Sequence, residues 1–301
     1  MGDFMKKVLI AAVAVLFAAA SVFGVVTFKN KVLDKNRLKI NEKSSVSEIV
    51  AFYNNSVKNC KNYKDFGLDV KTSVKLDEIN SESMILNEML SSIMGYKVGD
   101  SREETRSFSF KNGVDAKDSE KTPLSVIQPA NAYVENFNAS SLALKSVLCD
   151  DESTSLSFEI KNESADLDSV LAAINPIIKG QTVSDHSQIA ALAPNHSKFI
   201  DVGDIMSTVV DMLGISNMVN GSDNQNKDSV SNSGSKSVSI VDGKCIIGST
   251  EISAIADSNE VLHSVAISVP VELKAGFKLV NNIIETSIQI TVVQTYYFNY
   301  S

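Results

Sequence analysis

The feature that most constrains this chain is an N-terminal run of 21 residues, from Val8 to Phe28, without a charged side chain. A helix of about 20 apolar residues is long enough to cross the hydrocarbon core of a bilayer. Lys6 and Lys7 precede the run, as basic residues precede the apolar core of a secretory signal. Because no polar face interrupts the run, a helix buried in a soluble core is disfavoured. The sequence therefore predicts a signal anchor, a transmembrane helix within residues 1–28.

The fate and orientation of this helix depend on its flanking residues. Ala18-Ala19-Ala20 offers a small-residue cleavage site, but the apolar run continues through Val26, so a retained anchor is favoured over a cleaved, secreted form. Five basic residues from Lys29 to Lys39 outnumber the pair before the run, which taken alone would place the domain in the cytoplasm. The short tail with paired lysines instead behaves as the start of a signal. We expect a single-pass protein of the cell membrane, with residues 29–43 as a charged stalk and the domain extracytoplasmic.

Composition sets the class of the remaining chain. Of 301 residues, 44% are apolar and 21% are charged, as in ordinary globular proteins, so a sizeable core can form. A net charge of −8 argues against nucleic acid as a partner, because phosphate binding needs a concentrated basic surface. Cys60, Cys149 and Cys245 are widely spaced and lack metal-ligand spacing. They allow at most one disulfide within the chain; reduced, buried thiols are favoured, and the disulfide status stays open.

Four segments have helical periodicity. Ser45-Val46-Ser47-Glu48 has the pattern of a capping box, in which the first Ser and the Glu each accept a hydrogen bond from the other's backbone N–H. Apolar residues follow it at helical spacing. A second helix is predicted from Ser83 to Met94, ended by a glycine. Two further amphipathic stretches run from Leu167 to Pro176 and from Ile205 to Leu213.

Other segments alternate apolar and polar residues, which is typical of half-buried strands. The shorter ones are Leu68–Leu76, Arg106–Phe110 and a hairpin of residues 145–149 and 154–161. Near the C-terminus, Asp242-Gly243 is typical of a two-residue hairpin turn, and long alternating runs follow it to the end of the chain. These patterns predict a four-stranded antiparallel meander over residues 238–300, apolar on one side.

The apolar face of this meander needs a cover. No helical pattern lies within the meander, so the earlier helices must pack on it. The longest strands exceed the usual length, and Pro270 and Gly276 are expected to mark bends or bulges that curl the sheet. We therefore predict one α+β domain over residues 44–301, a curled antiparallel sheet covered on its apolar face by amphipathic helices. The polar segment 220–236 is predicted to be a disordered loop within this domain.

Histidines offer little sign of chemistry. His186 and His196 are ten residues apart, which is not a metal-ligand spacing, so solvated loop histidines are predicted. Three aspartates lie near this pair: Asp185, Asp201 and Asp204. His263 falls on the apolar face of a strand and is interpreted as a core or rim histidine.

Two short motifs also fail to predict a reaction. Gly99-Asp100-Ser101 matches the Gly-Asp-Ser block of a hydrolase family, but that family places its Ser after a buried parallel strand, and here a helix comes first. Asp150-Asp151-Glu152 lacks the ligand spacing and the Gly of a calcium loop and is interpreted as a solvated hairpin turn. The sequence thus predicts no catalytic, cofactor-binding or metal-binding residues, no cofactor, and no enzyme activity.

The order of features resembles that of uncharacterised signal-anchored exported proteins of anaerobic Gram-positive bacteria. The resemblance rests on the signal anchor, on the helix segment Ser47-Glu48-Ile49-Val50-Ala51-Phe52-Tyr53-Asn54, and on the Ser/Thr-rich strands at the end of the chain. Because that group has no established activity, the resemblance implies a location and an architecture, and no site residue is carried over.

The function predicted from these features is that of a non-catalytic, membrane-tethered binding protein. A one-sided sheet over amphipathic helices can hold a cleft, and we expect an apolar or amphiphilic ligand such as a lipid in it. The alternative is a structural or protein-interaction component of the cell envelope, with the sheet edge or residues 220–236 as the contact. A hydrolase is the third and least favoured hypothesis.

The predicted orientation can be tested with protease. Protease added to intact cells or protoplasts is expected to digest the domain beyond residue 43, because that domain lies outside the cytoplasm. Immunoblotting against a C-terminal epitope follows the digestion, with a cytoplasmic protein as the control. A domain that resists protease until the cells are lysed would show that the orientation is wrong.

Overall fold

The computed structural model describes residues 40–127, 137–149, 152–178, 187–213, 239–279 and 282–300. They belong to a unit that runs from Ile40 to Ser301. Ile40 is buried in the core, so residues 40–43 of the predicted stalk are part of this unit. The predicted anchor, Val8–Phe28, and the predicted loop, 220–236, lie outside the described residues. Among the helices that are described, none is both long and apolar enough to span a membrane.

The described residues form six α-helices and ten β-strands. The helices are α1 (Val46–Asn62), α2 (Met84–Met94), α3 (Pro123–Val126), α4 (Leu167–Ile178), α5 (Ser187–Leu192) and α6 (Val202–Leu213). The strands are β1 (Phe66–Ser81), β2 (Ser101–Lys111), β3 (Val114–Asp115), β4 (Leu142–Cys149), β5 (Ser153–Ile160), β6 (Glu163–Asp166), β7 (Ser239–Ile247), β8 (Thr250–Asp257), β9 (Leu262–Leu279) and β10 (Asn282–Tyr300). Short 3-10 helices span Ala139–Ser141 and His196–Lys198. The four helices predicted beyond residue 43 are present.

Helix α1 begins with the capping box that its sequence predicts. The Ser45 hydroxyl accepts a hydrogen bond from the backbone N–H of Glu48 at 3.3 Å. The Glu48 carboxylate in turn accepts from the backbone N–H of Ser45 at 2.7 Å. These bonds satisfy two N–H groups that the start of a helix leaves without partners. The bonds that the Glu48 carboxylate accepts from the Ser45 backbone N–H and hydroxyl lower the pKa of Glu48.

The ten strands join one open antiparallel sheet. Its order is β3-β2-β1-β10-β9-β8-β5-β4, with β7 in line with β8 along β9 and β6 beside β7. The long strands β9 and β10 form the centre and pair over most of their lengths. On the other side of β10 lies β1, so the first and last strands of the unit are neighbours.

Two neighbouring strands of the sheet are each interrupted, and the two interruptions lie side by side at the same level. Each interrupted strand, with both of its parts, is called one line of strand. β7 leads into β8 through Gly248, and β5 leads into β6 beside it, with one pairing register kept across both breaks. Pro270 of β9 lies at this level, and its carbonyl oxygen accepts a hydrogen bond from the N–H of Gly248 at 2.6 Å. A proline has no N–H for a strand ladder, so it fits a place where the neighbouring strand is interrupted.

The predicted hairpin turn at Asp242-Gly243 is wrong. Both residues lie inside β7, where its pairing with β9 shifts register opposite Gly276. β7 and β8 form one interrupted strand, so the meander has three lines of strand instead of four. Pro270 and Gly276 mark irregularities on the β7–β8 side, as predicted, but the pairing of β9 with β10 passes both without a shift.

The sheet buries one face, which the helices cover. Along β10, the alternate residues Ile288, Ile290 and Val292 are buried, while the residues between them are partly exposed. Helix α1 contacts β4 and β9, α4 contacts β7, and α6 contacts β1 and β10. The predicted α+β class, an antiparallel sheet with helices packed on its apolar face, is confirmed.

Gly243 is a position where a side chain has no room. A Cβ atom there would lie 2.7 Å from the Leu167 Cδ2 atom and 2.7 Å from the carbonyl oxygen of Lys274. The carbonyl is part of the β9 backbone and cannot rotate away. We expect Gly243→Ala to lower the free energy of unfolding by about 1–3 kcal/mol, the usual cost of overpacking. Thermal unfolding of the full-length protein, followed by circular dichroism, measures this loss.

Gly67→Ala is the matched control, because Gly67 also lies within a strand of the sheet. A Cβ atom there would meet the Asn299 Cβ at 3.5 Å, an ordinary contact. We expect a stabilisation of about 0.4–1 kcal/mol from the smaller entropy of the unfolded chain. Equal losses at the two positions would contradict the close approach at Gly243.

Candidate functional site

The inner face of β2 changes from apolar to charged along the strand. Phe108 and Phe110, at the end beside β3, pack against the core. The preceding residues on the same face are Arg102, Glu104 and Arg106. Directly paired residues of an antiparallel ladder share a face, and these three pair with β1 residues on its helix-covered side. The charged part of β2 therefore points toward the helices.

Helix α6 lies over this charged part of the sheet. It presents residues at helical spacing from Asp204 onward, and a cleft of about 220 Å³ separates them from β1 and β2. The cleft is lined by Thr72, Val74, Arg102, Glu104, Arg106, Asp204, Ser207, Thr208, Asp211 and Met212. Because charged and hydroxyl side chains dominate this lining, the cleft is polar.

A buried glutamine fixes the α6 wall of the cleft. Gln294 of β10 is 2% exposed, and its Nε2 donates a hydrogen bond to the Asp204 Oδ2 atom at 2.7 Å. The Gln294 Oε1 atom accepts from the Tyr296 hydroxyl at 3.4 Å. Burial raises the pKa of Tyr296, so this hydroxyl keeps its proton and can donate. Asp204 also lies 3.9 Å from the Arg106 guanidinium, which links the core to the cleft.

The α6 wall of the cleft offers only hydrogen-bond acceptors, whereas the β2 wall offers mainly donors. Ser207 and Thr208 each donate their hydroxyl hydrogen to a carbonyl oxygen of α6, both at 2.8 Å. The α6 wall therefore presents hydrogen-bond acceptors, which are the remaining lone pairs of the two hydroxyls and the carboxylates of Asp204 and Asp211. The two arginines of the β2 wall supply donors, with Glu104 between them.

Several of these groups have no partner in the described part of the chain. There, Arg102, Glu104 and Asp211 make no side-chain hydrogen bond or ion pair. The hydroxyl oxygen of Thr72, which pairs with Glu104 across the strands, is buried and lacks a hydrogen-bond partner among the described residues. A buried polar group left in this state costs about 1–3 kcal/mol. Arg102, Glu104 and Asp211 are exposed, so a ligand in the cleft can supply partners to these three charged groups.

The prediction that His196 is a solvated loop histidine is wrong. Its side chain is fully buried, and its Nδ1 atom lies 2.7 Å from the Glu163 Oε2 atom. Its Nε2 atom lies 3.3 Å from the carbonyl oxygen of Gly248. The Glu163 carboxylate also accepts from the backbone N–H groups of Asn195 and His196. This Glu163–His196 clasp joins β6 to the second 3-10 helix; His186 lies outside the described residues.

The other candidate residues do not converge on the cleft. His263 lies at the rim of the sheet, as predicted, 39% exposed and with its Nε2 atom 4.0 Å from the Asp257 Oδ2 atom. Gly99-Asp100-Ser101 forms the turn into β2, where the Asp100 carboxylate accepts from the backbone N–H of Lys97 at 2.8 Å. Asp150 and Asp151 lie outside the described residues. Within the described ranges, no group of three or more His, Cys, Asp or Glu residues could hold a metal ion.

All three cysteines are free. Cys60 and Cys245 are buried, as expected, whereas Cys149 is exposed, contrary to the expectation. The Cys60 thiol accepts hydrogen bonds from the Tyr300 hydroxyl at 3.0 Å and from the Leu262 N–H at 3.2 Å. Burial raises the pKa of Cys60 to about 12, so it is not a nucleophile at neutral pH.

The sequence does not predict the cleft residues, because apolar and polar residues alternate only at the end of β2. The strand was predicted from Arg106 to Phe110, whereas it begins at Ser101. The available signal was the alternation of Arg102 and Glu104 in step with the two later phenylalanines. This alternation places the charged side chains and the two phenylalanine rings on the same face of β2. Charged side chains, however, are usually expected on the face that points to solvent.

Comparison with family models, with curated proteins and with solved structures gives no match for this chain. Function is therefore inferred from the chemistry of the cleft. A concave surface with a few convergent polar groups is typical of a small-molecule site.

The Glu163–His196 clasp predicts a stability that falls in acid. Burial alone would raise the pKa of Glu163, but hydrogen bonds from His196 and Asn195 outweigh burial and lower it. Such a carboxyl stabilises the fold above its unfolded pKa of about 4.3 and loses that contribution as pH falls through the lower folded value. We expect Glu163→Gln to cost about 1–3 kcal/mol at neutral pH and to flatten the acid limb of the stability profile.

Thermal unfolding from neutral pH to about pH 3, the range in which carboxyl groups titrate, measures this profile. Glu285→Gln is the control, because Glu285 is an exposed strand residue, and its effect is expected to stay within about 0.5 kcal/mol. A Glu163→Gln profile parallel to that of the wild type would contradict the role of the clasp.

Proposed function

We propose that this chain is a non-catalytic, membrane-tethered binding protein whose extracytoplasmic domain holds a small ligand in the cleft between α6 and β2. The observation that carries the proposal is a concave polar cleft in which Arg102, Glu104 and Asp211 have no partner among the described residues. Charged groups kept unpaired in a cleft are available to a ligand. The tether is the predicted anchor Val8–Phe28, and the extracytoplasmic location follows from the sequence prediction.

The lining supports binding without catalysis. Among the described lining residues there is no His or Cys, and Ser207 and Thr208 give their hydroxyl hydrogens to carbonyl oxygens of their own helix. A hydroxyl nucleophile needs a base within hydrogen-bond reach. The fixed charges of both signs suit recognition of a charged ligand.

The lining also favours a polar group over an apolar one. The apolar face of the sheet is filled by helix side chains, and a void beside Val170, Met206 and Cys245 measures only about 10 Å³. That volume is near the lower limit for one water molecule. An amphiphilic ligand would therefore present its polar group to the cleft, with Val74 and Met212 as the apolar contacts.

An interaction role in the cell envelope is the second candidate. Met84 and Ile85, adjacent at the start of α2, are 78% and 71% exposed. An apolar surface of this kind is one on which another protein can pack. This function becomes the favoured one if no probe binds to the cleft.

Ligand binding is expected to raise the unfolding temperature of the protein, because a ligand that binds the folded state stabilises it. Full-length protein in dodecyl maltoside micelles is mixed, one at a time, with free amino acids, ethanolamine, glycerol 3-phosphate, glycerophosphoethanolamine and glucose. At least one probe is expected to raise the unfolding temperature of the wild type. The same probe should have little effect on the double variant Arg102→Gln/Asp211→Asn.

Glu103→Gln is the matched control for this experiment. Glu103 neighbours two cleft residues on β2 but lies on the other face, where it pairs with Lys71 at 2.9 Å. This variant is expected to keep the full shift. The proposal fails if no probe raises the unfolding temperature, or if the double variant keeps the shift.

A further inference from the structure

We infer that the cleft recognises a zwitterion, a small molecule or headgroup that carries a primary ammonium group and an acidic group. The inference rests on the proposed function and adds the chemistry of the ligand. The ammonium group would lie against α6 and the acidic group against Arg102.

The α6 wall selects a donor. Its hydroxyls at Ser207 and Thr208 have already given up their hydrogens to backbone carbonyls, so they can only accept. The carboxylates of Asp204 and Asp211 are acceptors as well, and Gln294 holds the first of them in place at 2.7 Å. A primary ammonium group offers three N–H donors and a positive charge, which matches such a wall.

On the β2 wall, Arg102 is the group that selects an acid. Arg102 makes no ion pair within the described ranges, whereas Arg106 already lies 3.9 Å from Asp204. A guanidinium group carries a planar fork of donors that binds a carboxylate or a phosphate through two parallel hydrogen bonds. Arg102 is therefore the residue that we assign to the acidic group of the ligand.

The size and the charge pattern of the cleft suit a ligand that carries both groups. Asp204 and Asp211 are about 10 Å apart along the helix, at about 1.5 Å per residue, and Arg102 and Arg106 are about 13 Å apart along the strand. The cleft between them has a volume of about 220 Å³, so one small molecule can reach both walls. A ligand with a single charge would make charged hydrogen bonds to only one of the two walls, whereas a zwitterion would make them to both.

The charges of β2 have a second effect, because within the described residues β2 is an edge strand, and charges that point inward from an edge strand discourage pairing with other chains. That role depends on charge and not on a ligand. It predicts that loss of Arg102 causes aggregation, whereas the binding role predicts loss of affinity in a monodisperse protein. Size-exclusion chromatography of each variant separates the two.

Isothermal titration of the full-length protein in dodecyl maltoside tests the inference. Glycerophosphoethanolamine and the free amino acids are the two zwitterionic arms, and they distinguish a lipid headgroup from a free metabolite. Glycerophosphocholine is the matched control, because its quaternary nitrogen keeps the positive charge but has no N–H. Ethanolamine and glycerol 3-phosphate each carry one of the two charges.

We expect at least one zwitterionic arm to bind about tenfold or more tightly than the choline compound and than either single-charge probe, as the loss of charged hydrogen bonds implies. Arg102→Gln and Asp211→Asn should each weaken that arm about tenfold or more, and Glu103→Gln should not. Unchanged unfolding temperatures in the absence of ligand show that the variants fold.

Equal binding of the choline compound, or of a single-charge probe, overturns the inference. Glucose or a single-charge probe could be the only probe that stabilises the wild type but not the double variant. The cleft would then be a binding site, and only the inference of a zwitterionic ligand would be wrong. If no probe binds, the proposed function fails together with the inference.

Discussion

The long pairing of β9 with β10 is the constraint on which the rest of the structure depends. The two strands keep one register past Pro270 and Gly276, so their side chains alternate between a buried face and an open one. Because the side-chain period of a strand is two, a slip of one residue would turn every buried apolar side chain toward solvent. The fixed register gives the sheet one apolar face, and α1, α4 and α6 must cover it. Helix placement therefore follows from the pairing of the last two strands.

Gln294 couples this buried face to the cleft. It occupies an inward position of β10, between the apolar rows of Val292 and Tyr296. A buried amide needs hydrogen-bond partners, and the loss of one costs about 1–3 kcal/mol. Asp204 is such a partner only while α6 lies with its acidic side over β1 and β10. The hydrogen bond between Gln294 and Asp204 thus satisfies a buried amide and also fixes the position of α6, which forms one wall of the cleft.

Elements defined by residues near one another in sequence could be predicted, and features defined by distant partners could not. The capping box at Ser45 and the alternation of β1 and β10 are local, and both are present in the structure. His196 pairs with Glu163, 33 residues away, and no local pattern shows that pairing. Gly243 has the signature of a turn, yet the close approach of the Lys274 carbonyl is what requires a glycine there. The inward direction of the β2 charges likewise follows from its register with β1.

The position of the cleft at the edge of the sheet reconciles unpaired charges with a stable fold. Within the described residues, β3 pairs only with the last two residues of β2, so Ser101–Ser109 is an edge. Arg102 and Glu104 are exposed there, and a charge that keeps contact with water avoids most of the desolvation penalty of a buried one. Protection of the edge and recognition of a ligand can therefore use the same side chains. They remain separable, because edge protection needs only charge, whereas the recognition that we assign to Arg102 needs the planar fork of its guanidinium group.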